Sequence, residues 1–291
     1  MRIFLLFLLI LPGVAVSESP PFEEVTVVHS KKIDENSGID LSYKYPNTVW
    51  THNDSGGTPY LYLVSLASGR TLATVHLKGS ENRDWEDIVT FQKDGKSYVA
   101  VGDTGDNLRR RADYQICIIE EPDFDLEDED SIELAVEQSD WINLRYQYED
   151  GAKNCESIAV DLENHQFVLV EKIYQNVKGI PGVYRLDIPT QSVEDATARR
   201  IGDLKIKNTS AMDISDQGNT MLIRAYHAGF VYRRKVGETW EEVFKKPDPE
   251  PFIFPMQRQG EGVCFTSDGK SVLISSEKKR QPIYRVTLPG L

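Results

Sequence analysis

Cysteine, histidine and basic residues are scarce in this chain. It has 3 Cys, 5 His and 33 Lys+Arg against 46 Asp+Glu in 291 residues, a formal charge of −13. So acidic a balance argues against sequence-independent nucleic-acid binding, which needs clustered Lys and Arg. It argues equally against a polybasic membrane contact. No Cys-x-x-Cys occurs, which removes thiol-redox motifs and cysteine-based zinc sites. No His-Glu-x-x-His, Gly-x-Ser-x-Gly or phosphate-binding glycine loop occurs either. After residue 17 no apolar run is long enough to span a membrane, and helical periodicity is hard to find.

What is present begins with an apolar leader. Met1 and Arg2 precede an apolar run over residues 3–11 and the small residues of 12–17. This is the pattern of a secretory signal peptide, residues 1–17. It leaves 18–291 as a single domain, secreted or periplasmic, with no membrane insertion and no nucleic-acid partner. Export permits disulfides, but three cysteines are an odd number. Cys117, Cys155 and Cys264 sit in strand-like contexts and read as small buried hydrophobes.

Short β-branched and aromatic runs alternate with turns throughout. Lys93-Asp-Gly-Lys96 and Ser267-Asp-Gly-Lys270 are hairpin turns, because Gly adopts positive φ without a steric penalty. Five similar strand starts recur at Ser37, Glu86, Glu156, Met212 and Glu261, at intervals of 49, 70, 56 and 49 residues. A second strand follows each start, then a third with aromatics. Four units add a fourth strand, at Thr71, Asp140, Ala198 and Trp240. The last unit lacks one, and Glu24–Ser30 is a spare strand at the front. Tandem four-stranded units predict an all-β fold, a β-propeller. Five blades are expected, with the N-terminal strand closing the ring in the last blade. Six blades remain possible if the long second interval hides another. The acidic run 123–130 reads as a solvated connection in blade two.

In such a blade the first strand's start and the second strand's end share one face of the disc. That face should gather Ser37, Glu86, Glu156, Asp213 and Glu261 with Asp54, Asp103, Glu171, Arg224 and Glu277. Asp87, Asp106 and Asn107 add to it. Converging carboxylates repel, and something must offset this: backbone N–H groups, raised pKa values or a cation. Oxygen ligands suit a hard cation, and Ca²⁺ is the available one outside the cell. Carboxylates hydrogen-bonded to the neighbouring blade's backbone are the other reading. His52 and His227 stand at second-strand ends, where one could act as a base.

These motifs carry a resemblance. Asn53-Asp-Ser-Gly, Asp84-Trp-Glu-Asp-Ile, Gly102-Asp-Thr-Gly-Asp-Asn, Glu156-Ser-Ile-Ala-Val-Asp, Glu261-Gly-Val and Ser275-Ser-Glu resemble those of secreted bacterial propeller proteins of undefined activity. More distantly, the Glu-Gly and Glu-Ser strand starts are similar to the regucalcin/gluconolactonase and phytase-esterase-like propellers. Those relatives hold a divalent cation on the axis with acidic and amide side chains. The resemblance implies Glu86, Glu156, Asp213 and Glu261 as metal ligands. Asp54, Asp103, Asp106, Asn107, Arg224 and His227 are left to bind a ligand. The first unit departs from the pattern, with Ser37 where Glu would match, and the lactonase relatives have six blades.

The expected function is a monomeric binding or scaffold module for an extracellular small molecule or protein, with Ca²⁺ in its acidic site. The alternative is a cation-dependent hydrolase of a lactone, ester or phosphoester.

Overall fold

The computed structural model describes residues 20–126 and 131–288. The expected leader, 1–17, and the acidic residues 127–130 lie outside the described residues. Among the described residues no helix is long and apolar enough to cross a membrane.

The chain opens with β1 (Phe22–Val27). A first unit follows: β2 (Asn36–Leu41), β3 (Thr48–Asn53), β4 (Tyr60–Ser65) and β5 (Thr71–Leu77). The second is β6 (Trp85–Lys93), β7 (Lys96–Asp103), β8 (Tyr114–Glu120), then β9 (Ile132–Val136) and β10 (Trp141–Tyr148). The third is β11 (Cys155–Asp161), β12 (Gln166–Glu171), β13 (Gly182–Asp187) and β14 (Val193–Asp203). The fourth is β15 (Ala211–Ile214), β16 (Thr220–Ala225), β17 (Ala228–Arg233), a short helix α1 (Trp240–Phe244) and β18 (Phe252–Ile253). The last is β19 (Gly260–Phe265), β20 (Ser271–Ser276) and β21 (Pro282–Thr287).

Antiparallel meanders build each unit, and β1 pairs antiparallel with β21 to give the order β1-β21-β20-β19. The first strands β2, β6, β11, β15 and β19 touch in that order, and β19 returns to β2. This is a β-propeller. Two parallel pairings link units at their outer edges: β9 adds to β5, and β10 pairs β14, which fuses the second and third units into one eight-stranded sheet. Both cover edge strands that would otherwise expose unpaired backbone.

The apolar core lies between units. Phe91, Tyr114 and Tyr146 of the second meet Phe167, Leu169 and Tyr184 of the third. Val168 and Val170 meet Met221, Ile223 and Trp240. Similar layers join the first and second, the fourth and last, and the last and first. Each sheet is therefore covered on both faces, and strands such as β12 are buried throughout rather than alternating. Cys117, Cys155 and Cys264 are buried and unpaired within this core.

Two local expectations are corrected. Trp240–Phe244 forms α1, not a fourth strand. Thr239 caps it, accepting from the Glu242 N–H while the Glu242 side chain accepts from the Thr239 N–H. Trp240, Val243 and Phe244 then fall on one buried helical face. The edge strand of that unit is instead the two-residue β18. The acidic run is also not wholly solvated, because Phe124 and Leu126 pack against the cluster containing Trp50.

First strands do not form ladders with one another, so their inner edges need other partners. Carboxylates supply them. Asp40 accepts the N–H of Thr90 in the next unit (2.5 Å), and Asp213 that of Phe265 (2.7 Å). Asp87 accepts the N–H groups of Ile158 (3.0 Å) and Met212 (3.4 Å). Asp87→Ala should therefore cost about 1–3 kcal/mol, the penalty of stranding a buried N–H. Urea unfolding is the check, with Asp87→Asn expected between Ala and the parent chain. An unchanged midpoint for Asp87→Ala would refute the role.

Candidate functional site

One backbone hydrogen bond recurs around the axis and marks equivalent positions. The N–H of Asp54 donates to Glu35 O (2.8 Å), Gly105 to Asp84 O (3.1 Å), Lys172 to Asn154 O (2.7 Å) and Glu277 to Gln259 O (3.0 Å). Two residues beyond each acceptor stand Ser37, Glu86, Glu156 and Glu261. In the fourth unit the Tyr226 N–H donates instead to the Ser210 hydroxyl (3.4 Å). The Ser37 and Ser210 hydroxyls each donate to a carbonyl of the next unit, Glu86 O and Gly260 O. Ser210 therefore takes the place that the sequence reading gave to Asp213. Asp213 lies three residues further on, roughly 10 Å along a strand. Its charged neighbours are Asp40 and Asp216, so the structure does not bring it to Glu86, Glu156 and Glu261.

Asp54, Asp84 and Glu86 present oxygens within 4.8 Å of one another. Asp84 and Glu86 can approach each other because Gly105 has no side chain. A Cβ there would overlap Glu86 Oε1 and Asp84 Oδ2. Burial, followed by repulsion from Asp84, pushes Asp54 up to about 7. Burial and then Glu156 push Asp84 up to about 6. Glu86 is raised well above the usual range by burial and by Glu156, Asp54 and Asp84. Asp54 Oδ1 is buried and accepts no hydrogen bond. Oxygen-only donors at this spacing, with an unsatisfied buried oxygen, fit a hard divalent ion with ligand distances of about 2.3–2.6 Å.

The other half of the mouth has its own cation. Lys172 Nζ is 2.8 Å from Glu156 Oε2, with both side chains buried. It also lies over the rings of Tyr226 (4.9 Å) and Tyr174 (5.4 Å). Burial opposes its charge, but Glu156 and then Glu261 outweigh burial and raise its pKa. Glu156 further accepts from Asn154 Nδ2 (2.8 Å). Glu261 accepts from Gln259 Nε2 (3.0 Å), while its Oε2 is buried without a partner. Burial pushes Glu261 up to about 8 despite Lys172.

The remaining predicted residues are mostly occupied elsewhere. Asp103 is fully buried, 2.9 Å from both Arg83 Nε and Arg111 Nη1, and accepts the Asp84 N–H (3.0 Å). Asp106 accepts from the Arg111 N–H (2.8 Å) and the Tyr114 hydroxyl (3.0 Å). Asn107 accepts from the Tyr174 hydroxyl (2.7 Å). The 102–107 loop is thus clamped by Arg111 and holds Asp84 in place. Arg224 points inward and is fully buried, donating to Gly262 O, Ser275 O and Gln257 Oε1. His227 is exposed and lines a groove with Lys205, Asn208 and Ile253. His52 does not face the mouth. It is fully buried edge-on to Trp85, and burial lowers it to about 4, leaving it neutral. Lys172 and Gly105 were missed in the sequence. Their signal is position, since both follow a second strand where Asp54 and Glu277 follow theirs.

No family model matches the chain, and neither does any curated protein. Among solved structures, a gluconolactonase from Xanthomonas campestris is similar at 7% identity with a TM-score of 0.51, covering 95% of this chain and 89% of that one. The WD40 domain of Neurospora crassa Pan2 is similar at 10% identity with a TM-score of 0.44, covering 95% and 98%. At such identities the likeness to the gluconolactonase is one of fold.

Raised carboxyl pKa values have a definite sign. Asp54, Asp84 and Glu261 hold protons in the folded chain that the unfolded chain has released. Their contribution therefore destabilises the metal-free fold increasingly as pH rises from about 4 to about 8. Melting temperatures over that range should fall less steeply for Asp54→Asn than for the parent chain. Parallel curves would contradict the burial of Asp54 as a carboxylic acid.

Proposed function

We propose that the chain is an exported five-bladed propeller whose acidic mouth holds a divalent cation, Ca²⁺ in its native setting, and binds an extracellular ligand there as a monomeric binding module. The observation that carries this reading is the convergence of Asp54, Asp84 and Glu86 beside side-chain-free Gly105. These three residues, with Glu156 adjacent, would hold the ion. That set differs from the one implied by resemblance in gaining Asp54 and Asp84 and losing Asp213 and Glu261. A bound divalent ion would offset the burial and the mutual repulsion that raise these carboxyls. It would also leave a charged surface for an oxygen-bearing ligand. The half of the mouth held by Lys172 needs no ion of its own.

The second reading is a cation-dependent hydrolase of a lactone, ester or phosphoester. One observation favours it: Glu261 stands outside the trio with a free, buried Oε2 and a pKa near 8. A carboxyl of that kind is suited to proton transfer near neutral pH. The ion would polarise the substrate's carbonyl or phosphoryl oxygen.

Metal analysis of the purified chain should give about one calcium per molecule, the count expected for one such oxygen site. Chelation should lower the melting temperature, and Glu86→Gln should abolish both the calcium and its stabilising effect. A metal-free chain indifferent to added calcium would overturn the proposal. Turnover of a lactone or phosphoester panel that needs calcium and is lost in Glu261→Gln would select the hydrolase.

A further inference from the structure

A second cavity lies at the opposite end of the propeller axis. Its volume is about 720 Å³, within the roughly 300–1,000 Å³ of small-molecule sites. All five first strands reach it with their far ends, through Asp40, Phe91, Val160, Ile214 and Phe265 among others. It is therefore axial, and the acidic mouth formed by the strand starts is a different site.

Two kinds of surface meet in it. Phe91, Val160, Leu162, Ile214 and Phe265 supply apolar wall. Asp40, Asp213 and Asp216 supply carboxyls. The Tyr43 hydroxyl donates to Asp216 Oδ1 (2.6 Å), linking the first unit to the fourth, which are not neighbours in the ring. The phenol thus spans the opening and leaves Asp216 a second oxygen.

The positive side chains lining the cavity do not balance these acids. Arg234 is buried and already committed, at 2.8 Å to Asp161 and 2.9 Å to Glu163, with its guanidinium 4.8 Å over Trp240. Lys235 is exposed, its N–H donates to Glu238, and its charge acts on the same carboxylate. Burial, with a smaller contribution from Asp216, raises Asp40 to about 7, and burial, then Asp40, raises Asp213 well above the usual range. An apolar chamber whose Asp40, Asp213 and Asp216 carboxyls pair with no Lys or Arg among the described residues complements one ligand chemistry.

We propose that this cavity binds a small organic cation: a protonated amine on an apolar, ring-sized body. The ammonium would donate to Asp213 and Asp216, and the body would lie against Phe91, Leu162 and Phe265. Charge-assisted hydrogen bonds give the amine its advantage over a neutral ligand of the same shape. The apolar wall gives it an advantage over a bare metal ion.

Calorimetric titration of the full chain tests this with phenethylammonium, 2-phenylethanol and phenylacetate as probes, with and without calcium. Phenethylammonium should bind, and at least about tenfold more tightly than 2-phenylethanol, the margin of one charged hydrogen bond. Phenylacetate should not bind. Asp216→Asn, at an exposed position, should weaken the amine by at least about tenfold. Leu162→Trp should block the chamber. Asp84→Asn, at the other end of the axis, should leave amine binding unchanged even where it abolishes calcium binding. Equal binding of amine and alcohol, amine binding that survives both cavity substitutions, or displacement of the amine by calcium would each overturn the proposal. So would the absence of amine binding up to about 10 mM, weaker than the roughly millimolar contacts of small fragments.

Discussion

Everything in this molecule depends on the unpaired inner edge of each first strand. A radial ring of sheets brings these edges to the axis, where water cannot satisfy them all. Buried backbone N–H and C=O groups must still find partners. Side chains of the first strands provide them by reaching into the next unit. Asp40, Asp87 and Asp213 accept N–H groups, and Ser37 and Ser210 donate to carbonyls. Arg224 does the same for Gly262 O and Ser275 O. The acidic character of the axis is thus first a structural requirement, met by short side chains with two acceptor oxygens.

That requirement sets the electrostatics of both ends. Carboxyls that only accept backbone N–H groups are already compensated. Carboxyls beyond that need are not, and they collect at the two mouths. At one mouth the chain neutralises half the group with Lys172, held by Glu156 and two tyrosine rings. Among the described residues no Lys or Arg forms an ion pair with Asp54, Asp84 or Glu86, although Arg111, bonded to Gly105 O, partly offsets the rise of Asp84. At the other mouth Arg234 neutralises Asp161 and Glu163, and Asp40 and Asp213 accept backbone N–H groups, which leaves Asp216 with only the Tyr43 hydroxyl. The two proposals follow from this difference: a compact divalent ion suits the first mouth, and a charge on an apolar body suits the second.

Much of the architecture was legible in residue order. Asp-Gly turns, β-branched runs and aromatic third strands marked the units, and the spare first strand pairs with β21 as expected. What failed to show were partners distant in sequence. Arg224 sits at a strand end like its acidic counterparts, yet three of its four acceptors lie 33 to 51 residues away inside the fold. Asp213 was placed at the mouth because the fourth unit starts with Ser210, not an acid, and the nearest acid drew the alignment three residues along. Trp240–Phe244 has strand-like composition, but its capping box decides for helix. Lys172 was overlooked one position past a strand end, though it balances two of the predicted glutamates.

The central question is whether a divalent ion occupies the space between Asp54, Asp84 and Glu86. Crystals grown with manganese, a strong anomalous scatterer that takes oxygen ligands, would locate it directly. The predicted result is an anomalous peak bonded to all three carboxylates beside Gly105, with Lys172 still paired to Glu156. A map with no peak there, and the Lys172 ammonium swung over to bridge the three carboxylates, would contradict it.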